Sequence, residues 1–181
     1  EAMDVFKEEI EKLTNGRIQV ELFKGGELYN QQGHMTALRR GTIAMTHAGP
    51  PQFVDEVPFV EMFAAPYVFD DYEHMTTVLN GEIGRDAFDA IASETGMRPL
   101  GAWFMGTRHL NLRDIGREVR QPSDMSGVKL RMPNTAAWLR VGESLGADPS
   151  PVSLTELYMA LNTGTVDGQD NPPNVTIARK F

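Results

Sequence analysis

Helix-like and strand-like stretches alternate along almost the whole chain, and glycine marks many of the joints between them. Ala37-Leu38-Arg39-Arg40-Gly41-Thr42-Ile43 has the same pattern as Ala160-Leu161-Asn162-Thr163-Gly164-Thr165-Val166. Each reads as the end of a helix, a glycine cap, then the start of a strand. Such alternation predicts an α/β architecture. The echo fits an ordinary αβ connection, and it fits equally two related lobes that each bring a strand towards a shared cleft.

The rest of the chain follows the same rhythm. Val5, Phe6, Ile10 and Leu13 mark a helical face over residues 1–13, which Asn15-Gly16 ends. Ile18, Val20 and Leu22 alternate with polar residues, predicting a half-buried strand that Gly25-Gly26 breaks. Residues 32–40 predict a short helix, 42–46 a strand, 73–79 and 83–95 two helices, and 100–104 a strand. Asp70 and Asp71 are placed to cap the first of those two helices. Further on, 128–131 predict a strand, 135–145 a helix closed by Gly146, and 153–162 another helix. Ser153 and Glu156 have the spacing of a capping box. Val166 opens a last strand, and residues 171–181 begin a helix. Both ends read as cut within a helix, so the native protein is expected to continue past them.

Charge bounds the partners. Seventeen Lys and Arg stand against 25 Asp and Glu, a formal net charge of -8. A chain this acidic lacks the basic face that sequence-independent nucleic-acid binding needs, so no nucleic-acid partner is expected. An anionic ligand would require a local cationic site. Cysteine is absent, which removes disulfides, thiolate metal sites and cysteine nucleophiles. The longest apolar stretches, such as residues 63–69, are far too short to span a bilayer. With 181 residues there is room for one large domain or two small lobes.

Enzyme signatures are missing: there is no G-x-S-x-G elbow, no P-loop, and no G-x-G-x-x-G after a strand. His34, His47, His74 and His109 form neither H-x-H nor H-E-x-x-H, so neither a metal nor a cofactor is expected. Asp167, Asp170 and Asn171 lack the spacing of a calcium loop. Two arginines stand out instead. Arg131 ends Val128-Lys129-Leu130-Arg131-Met132-Pro133, where a strand end before proline can aim a side chain into a cleft. Arg108 sits in Gly106-Thr107-Arg108-His109-Leu110 as the chain leaves a strand. A planar guanidinium matches a carboxylate with two parallel hydrogen bonds. That carboxylate can belong to a ligand or to an internal Asp or Glu, and local sequence leaves both open. Asn171 can cap the following helix with Pro172 at its first position, or donate its amide to a ligand. Phe69, Trp103 and Tyr67 can line a cleft or join the core, and Trp138 reads as core.

These segments together resemble the DctP-type solute receptors of tripartite ATP-independent periplasmic (TRAP) transporters. The resemblance is carried by Asn15-Gly16-Arg17, Gly25-Gly26-Glu27-Leu28, Ala65-Pro66-Tyr67-Val68-Phe69 and Gly106-Thr107-Arg108. It continues through Asp124-Met125-Ser126-Gly127-Val128-Lys129-Leu130-Arg131-Met132-Pro133 and Glu156-Leu157-Tyr158-Met159-Ala160-Leu161 to Val166-Asp167-Gly168-Gln169-Asp170-Asn171-Pro172. Pro133-Asn134-Thr135-Ala136 is similar to the branch with the sialic-acid receptors. The resemblance implies a periplasmic receptor, expected to be monomeric, that passes a small organic carboxylate to membrane permease subunits. It implies two hinged α/β lobes closing over the ligand, expected over residues 1–105 and 106–181. It further implies that Arg131 forms the main salt bridge to the ligand carboxylate, with Arg108 and Asn171 contributing. Asp170 stands where many members carry Glu, so a contact there reaches less far. A sugar acid, a C4-dicarboxylate or a sialic-acid-like molecule would each satisfy Arg131. The other classes to weigh are a ligand-sensing domain of a signalling protein and an enzyme acting on a carboxylated metabolite.

Overall fold

A computed structural model describes residues 2–181. Its second half is organised by a four-stranded sheet of β1 (His109–Leu112), β2 (Lys129–Met132), β3 (Asp148–Pro151) and β4 (Gly168–Asn171). The spatial order is β1-β4-β2-β3, with β1 antiparallel to β4 and the other neighbours parallel. Alternation along β2 decides what each face does. Leu130 and Met132 are fully buried, and with Met125, Val128 and Ala147 they form one apolar core. Helix α5 (Ala136–Ser144) covers that core with Trp138, Leu139 and Val141. Arg131, between Leu130 and Met132, is turned to the opposite face.

Strand β3 reads Asp-Pro-Ser-Pro, a composition that normally argues against a strand. It forms because it lies at the sheet edge and its prolines alternate. The N–H groups of Asp148 and Val152 donate to Val128 and Met132 (2.9 and 3.4 Å), while Pro149 and Pro151, having no N–H, occupy the intervening positions. A second apolar cluster of Leu157, Ala160 and Val166 lies between helix α6 (Leu157–Asn162) and the approach to β4. Helix α7 (Pro173–Arg179) follows β4 directly.

The first half holds helices α1 (Ala2–Leu13), α2 (Gly33–Arg39), α3 (Tyr72–Asn80) and α4 (Glu82–Thr95) with two 3-10 turns, Pro50–Gln52 and Pro58–Ala64. Its own core gathers Met35, Phe53, Val57, Val60, Ala87, Ile91 and Met97. Asp71 caps α3 as expected, accepting the N–H of His74 at 2.8 Å. The two halves meet where Arg140 of α5 donates to Glu61 from Nε and Nη2 (2.9 and 2.5 Å).

Several sequence expectations are corrected. Residues 18–22, 42–46 and 100–104 are not strands among the described residues. A strand exists only with a hydrogen-bonded neighbour, and among the described residues no strand runs beside these segments. The N–H of Val20 donates to the Glu11 carboxylate, and Asn80 both accepts from and donates to the Ala102 backbone. Strands β1 and β3 form where none is expected. Helix α6 begins at Leu157, because the Ser153 hydroxyl donates to the Glu156 carboxylate (2.5 Å) rather than capping backbone amides. Pro172, not Asn171, holds the cap position of α7.

Candidate anion site

Arg131 is only 1 % exposed. Its Nε donates to the carbonyl of Val152 at 2.7 Å, and its Nη2 has no hydrogen-bond partner among the described residues. The tether follows from the sheet register. Arg131 lies opposite Ser150 of β3 on one side and Gln169 of β4 on the other, so the carbonyl just past the end of β3 falls within reach. Burial pulls the guanidinium down to about 10; Arg108 adds to the fall and Asp170 opposes it. The group is therefore charged at neutral pH. A buried charged donor without an acceptor is expensive, about 1–3 kcal/mol or more, and native folds seldom carry one idle.

Arg108, Asp170 and Asn171 gather at the same end of the sheet, next to β4. Arg108 donates from Nε to Asp170 Oδ2 at 2.9 Å and from Nη2 to the Asp170 carbonyl. The internal carboxylate that local sequence allows for Arg108 is thus present, and it is Asp170, itself 6 % exposed. The Arg108 guanidinium also lies over the Trp138 ring, 4.4 Å from its centroid. Two guanidiniums against one carboxylate leave this cluster with one net positive charge.

A polar network backs it. Asn171 donates to Gln169 Oε1 at 2.5 Å, and Gln169 donates in turn to Asn111 (2.7 Å) and Thr176 (3.1 Å). Gln169 and Asn171 are two residues apart on one strand, and Asn111 sits opposite Gln169 in register, so all three share a face. Asp170 alternates away from them to meet Arg108. The Asp167 carboxylate accepts the N–H of Lys129 at 3.0 Å.

The aromatic candidates sit elsewhere, in the first half. Trp103 is half-exposed and stacked on His47, with centroids 5.6 Å apart and planes 12° apart. Phe69 is partly buried and meets His74 edge-to-face at 5.8 Å. Tyr67 is almost fully exposed. Gln169, Asn111, the Val152 carbonyl and the ring of Trp138 are not singled out from sequence. The available signal is polar residues at alternate positions in a strand next to an apolar core, the mark of a buried polar face. Two open surface hollows lie apart from Arg131. One, of about 350 Å³, is lined by Arg113, Asp114, Arg117 and Asp167, and another, of about 180 Å³, runs along the seam between residues 61–66 and α5.

The DctP model, described as bacterial extracellular solute-binding protein, family 7, matches residues 1–181. This chain belongs to that family. Among curated relatives, a solute-binding protein of Roseobacter denitrificans is 34% identical over 167 residues, which is 92% of this chain and 50% of that protein. A TRAP periplasmic solute binding protein from the same species, solved with bound 3-deoxy-D-manno-oct-2-ulosonic acid, is 37% identical. It aligns with a TM-score of 0.82 over 86% of this chain and 52% of its own. The sugar acid binding protein of Advenella mimigardefordensis, solved in complex with galactonate, is 31% identical. It superposes with a TM-score of 0.91 over 99% of this chain and 57% of its own. The chain spans about half the length of the curated relatives it matches. In this DctP-family chain the sheet of β1 to β4 and the arginine cluster lie within the matched region. Among the described residues no helix is long and apolar enough to cross a membrane.

Proposed function

We propose that this DctP-family chain captures a small organic carboxylate, and that Arg131 is the anchor. The observation that carries this reading is a fully buried guanidinium with one nitrogen fixed by a backbone carbonyl and another left without a partner. Binding, not catalysis, suits such a group. A carboxylate leaving water must exchange its hydration for charge and donors, and the idle Nη2 supplies both. Asn171 adds an amide at the same sheet end. Arg108 contributes positive charge through its pair with Asp170.

The net charge of one fits a single carboxylate head. Sugar acids with one carboxylate, such as those bound in the solved relatives, are the favoured class over a C4-dicarboxylate. Residues 1–105 and 106–181 act as two lobes, each with its own apolar cores. Ligand that bridges them favours the closed arrangement, and closure signals the loaded state to a TRAP membrane permease from the periplasm. Trp103 and Phe69 are the first-lobe residues proposed to meet the rest of the ligand. The receptor works as a monomer.

A thermal-shift screen of sugar acids and C4-dicarboxylates against the full-length protein identifies the ligand, since specific binding raises the melting temperature by mass action. Arg131→Ala then weakens calorimetric affinity by at least about a hundredfold, because removing one partner of a buried charge pair costs about 3–5 kcal/mol. Affinity within a few-fold of the parent would overturn the assignment.

A further inference from the structure

Trp138 borders the arginine cluster. Its side chain packs against the core cluster of Met125, Val128, Leu130, Met132 and Ala147, and its ring carries the Arg108 guanidinium. Its backbone is fixed as well: the Thr135 hydroxyl caps α5 by accepting the Trp138 N–H at 3.3 Å. Arg108 is held by its bonds to Asp170 and by this ring. It stands one residue before β1, two residues after Gly106, which adopts φ 131°.

We propose that Trp138 is a positioning residue for the anion site: it seats Arg108 on Asp170, so that the Asp170 carboxylate stays neutralised and Arg131 keeps the positive charge that receives the ligand. The proposal rests on the reading of Arg131 as the anchor. Its logic is electrostatic. Asp170 is buried beside a site that must admit an anion. Asp170 follows Gln169, the register partner of Arg131, so a carboxylate released from Arg108 would add an uncompensated negative charge next to the site and repel that anion. Arg131 already feels both groups, since Arg108 lowers its pKa and Asp170 raises it. The ring attracts a cation placed over its face without fixing that cation's rotation, while the two bonds to Asp170 fix the fork. Because the Arg108 side chain is only about a quarter exposed, water competes weakly with the ring.

The test uses Trp138→Leu and Trp138→Phe in the full-length protein, each made in the parent and in an Arg108→Gln background. Galactonate affinity is read by calorimetry, and Trp138–Arg108 coupling by a urea-unfolding double-mutant cycle without ligand. Trp138→Leu is expected to weaken galactonate binding about 2- to 30-fold, and Trp138→Phe to restore most of it. In the Arg108→Gln background, Trp138→Leu should cost nothing further. Equal binding by the Leu and Phe variants, or an undiminished loss in the Arg108→Gln background, overturns the proposal. The unfolding cycle needs no ligand, and strict additivity there overturns it too. Arg131→Ala run alongside separates the two readings: parent-like galactonate affinity in that variant removes the anchor assignment, while the unfolding cycle still reports on Trp138 and Arg108.

Discussion

The joints at 37–43 and 160–166 share a pattern and a backbone, yet they lead to different structures. Gly41 and Gly164 are both left-handed, at φ 70° and 74°. Each joint closes back on its helix, Thr42 donating to Ala37 (3.0 Å) and Val166 to Ala160 (3.2 Å). Beyond Gly164 the chain enters β4 and is paired on both sides, by β1 and β2. Beyond Gly41, residues 42–46 meet no strand among the described residues. Short-range chemistry makes the joint, but only neighbouring chain makes a strand. The same contrast separates the halves. The second buries a polar network inside a sheet, whereas among the described residues of the first no strand forms.

Substitutions at left-handed glycines that end a helix in each half sharpen this contrast most. A Cβ at Gly146, which ends α5 at φ 82°, would lie 2.1 Å from the Pro122 carbonyl oxygen. Gly146→Ala is expected to destabilise the full-length protein by at least about 2 kcal/mol, from the left-handed strain plus the backbone clash. Gly41→Ala meets nothing within 4 Å, so only the conformational strain applies, about 1 kcal/mol. Urea unfolding of both variants checks the order, and equal losses would break the comparison.

Acid should act on the first half. His34 takes part in hydrogen bonds with the Thr46 hydroxyl at Nδ1 (3.1 Å) and with the Gln52 amide nitrogen at Nε2 (2.7 Å). The Gln52 amide is oriented by accepting from Gly49 and donating to the Gln31 carbonyl, so His34 Nε2 is the acceptor and the ring is neutral. Desolvation, with His47 adding, lowers the pKa of His34, and desolvation lowers that of His47 although much of its surface still meets solvent. A lowered histidine contributes stability that is present above its ordinary value near 6.5 and is lost as pH falls through the folded value. The urea midpoint should therefore drop from pH 7.5 to 5.5, and His34→Gln should flatten that slope. An unchanged slope would show that the first half is not the acid-sensitive one.

The smallest effect is expected at the seam. Glu61 and Arg140 are about 39% and 55% exposed, so their pair is screened. A double-mutant cycle of Glu61→Gln and Arg140→Gln should give a coupling of at most about 1 kcal/mol, shrinking in high salt. A larger, salt-insensitive value would mean that the halves are held together more tightly than their separate cores suggest.

How far the sequence could be read follows from the same distinction. The β2 strand was legible because Leu130 and Met132 alternate with Lys129 and Arg131, and α3 to α5 because caps and periodicity are local. Strand β3 was hidden by its prolines, whose tolerance depends on lying at an edge. Arg131 was legible as a strand-end cation before proline. The tie between Arg108 and Asp170 spans 62 residues, and that between Gln169 and Asn111 spans 58, and both arise from register rather than from adjacent residues. Trp138 reads as core from its helix face, and its side chain does pack against that core, but its ring also holds the Arg108 guanidinium.

Arg131 is steered by the carbonyl of Val152, and a carbonyl belongs to every residue type. Replacing the side chain at 152, or those lining the approach, leaves that tether in place. On the proposed reading of Arg131 as the anchor, descendants of this chain can trade one guest for another by redecorating the walls while the grip on the acid group passes down unaltered, secured by the path of the main chain.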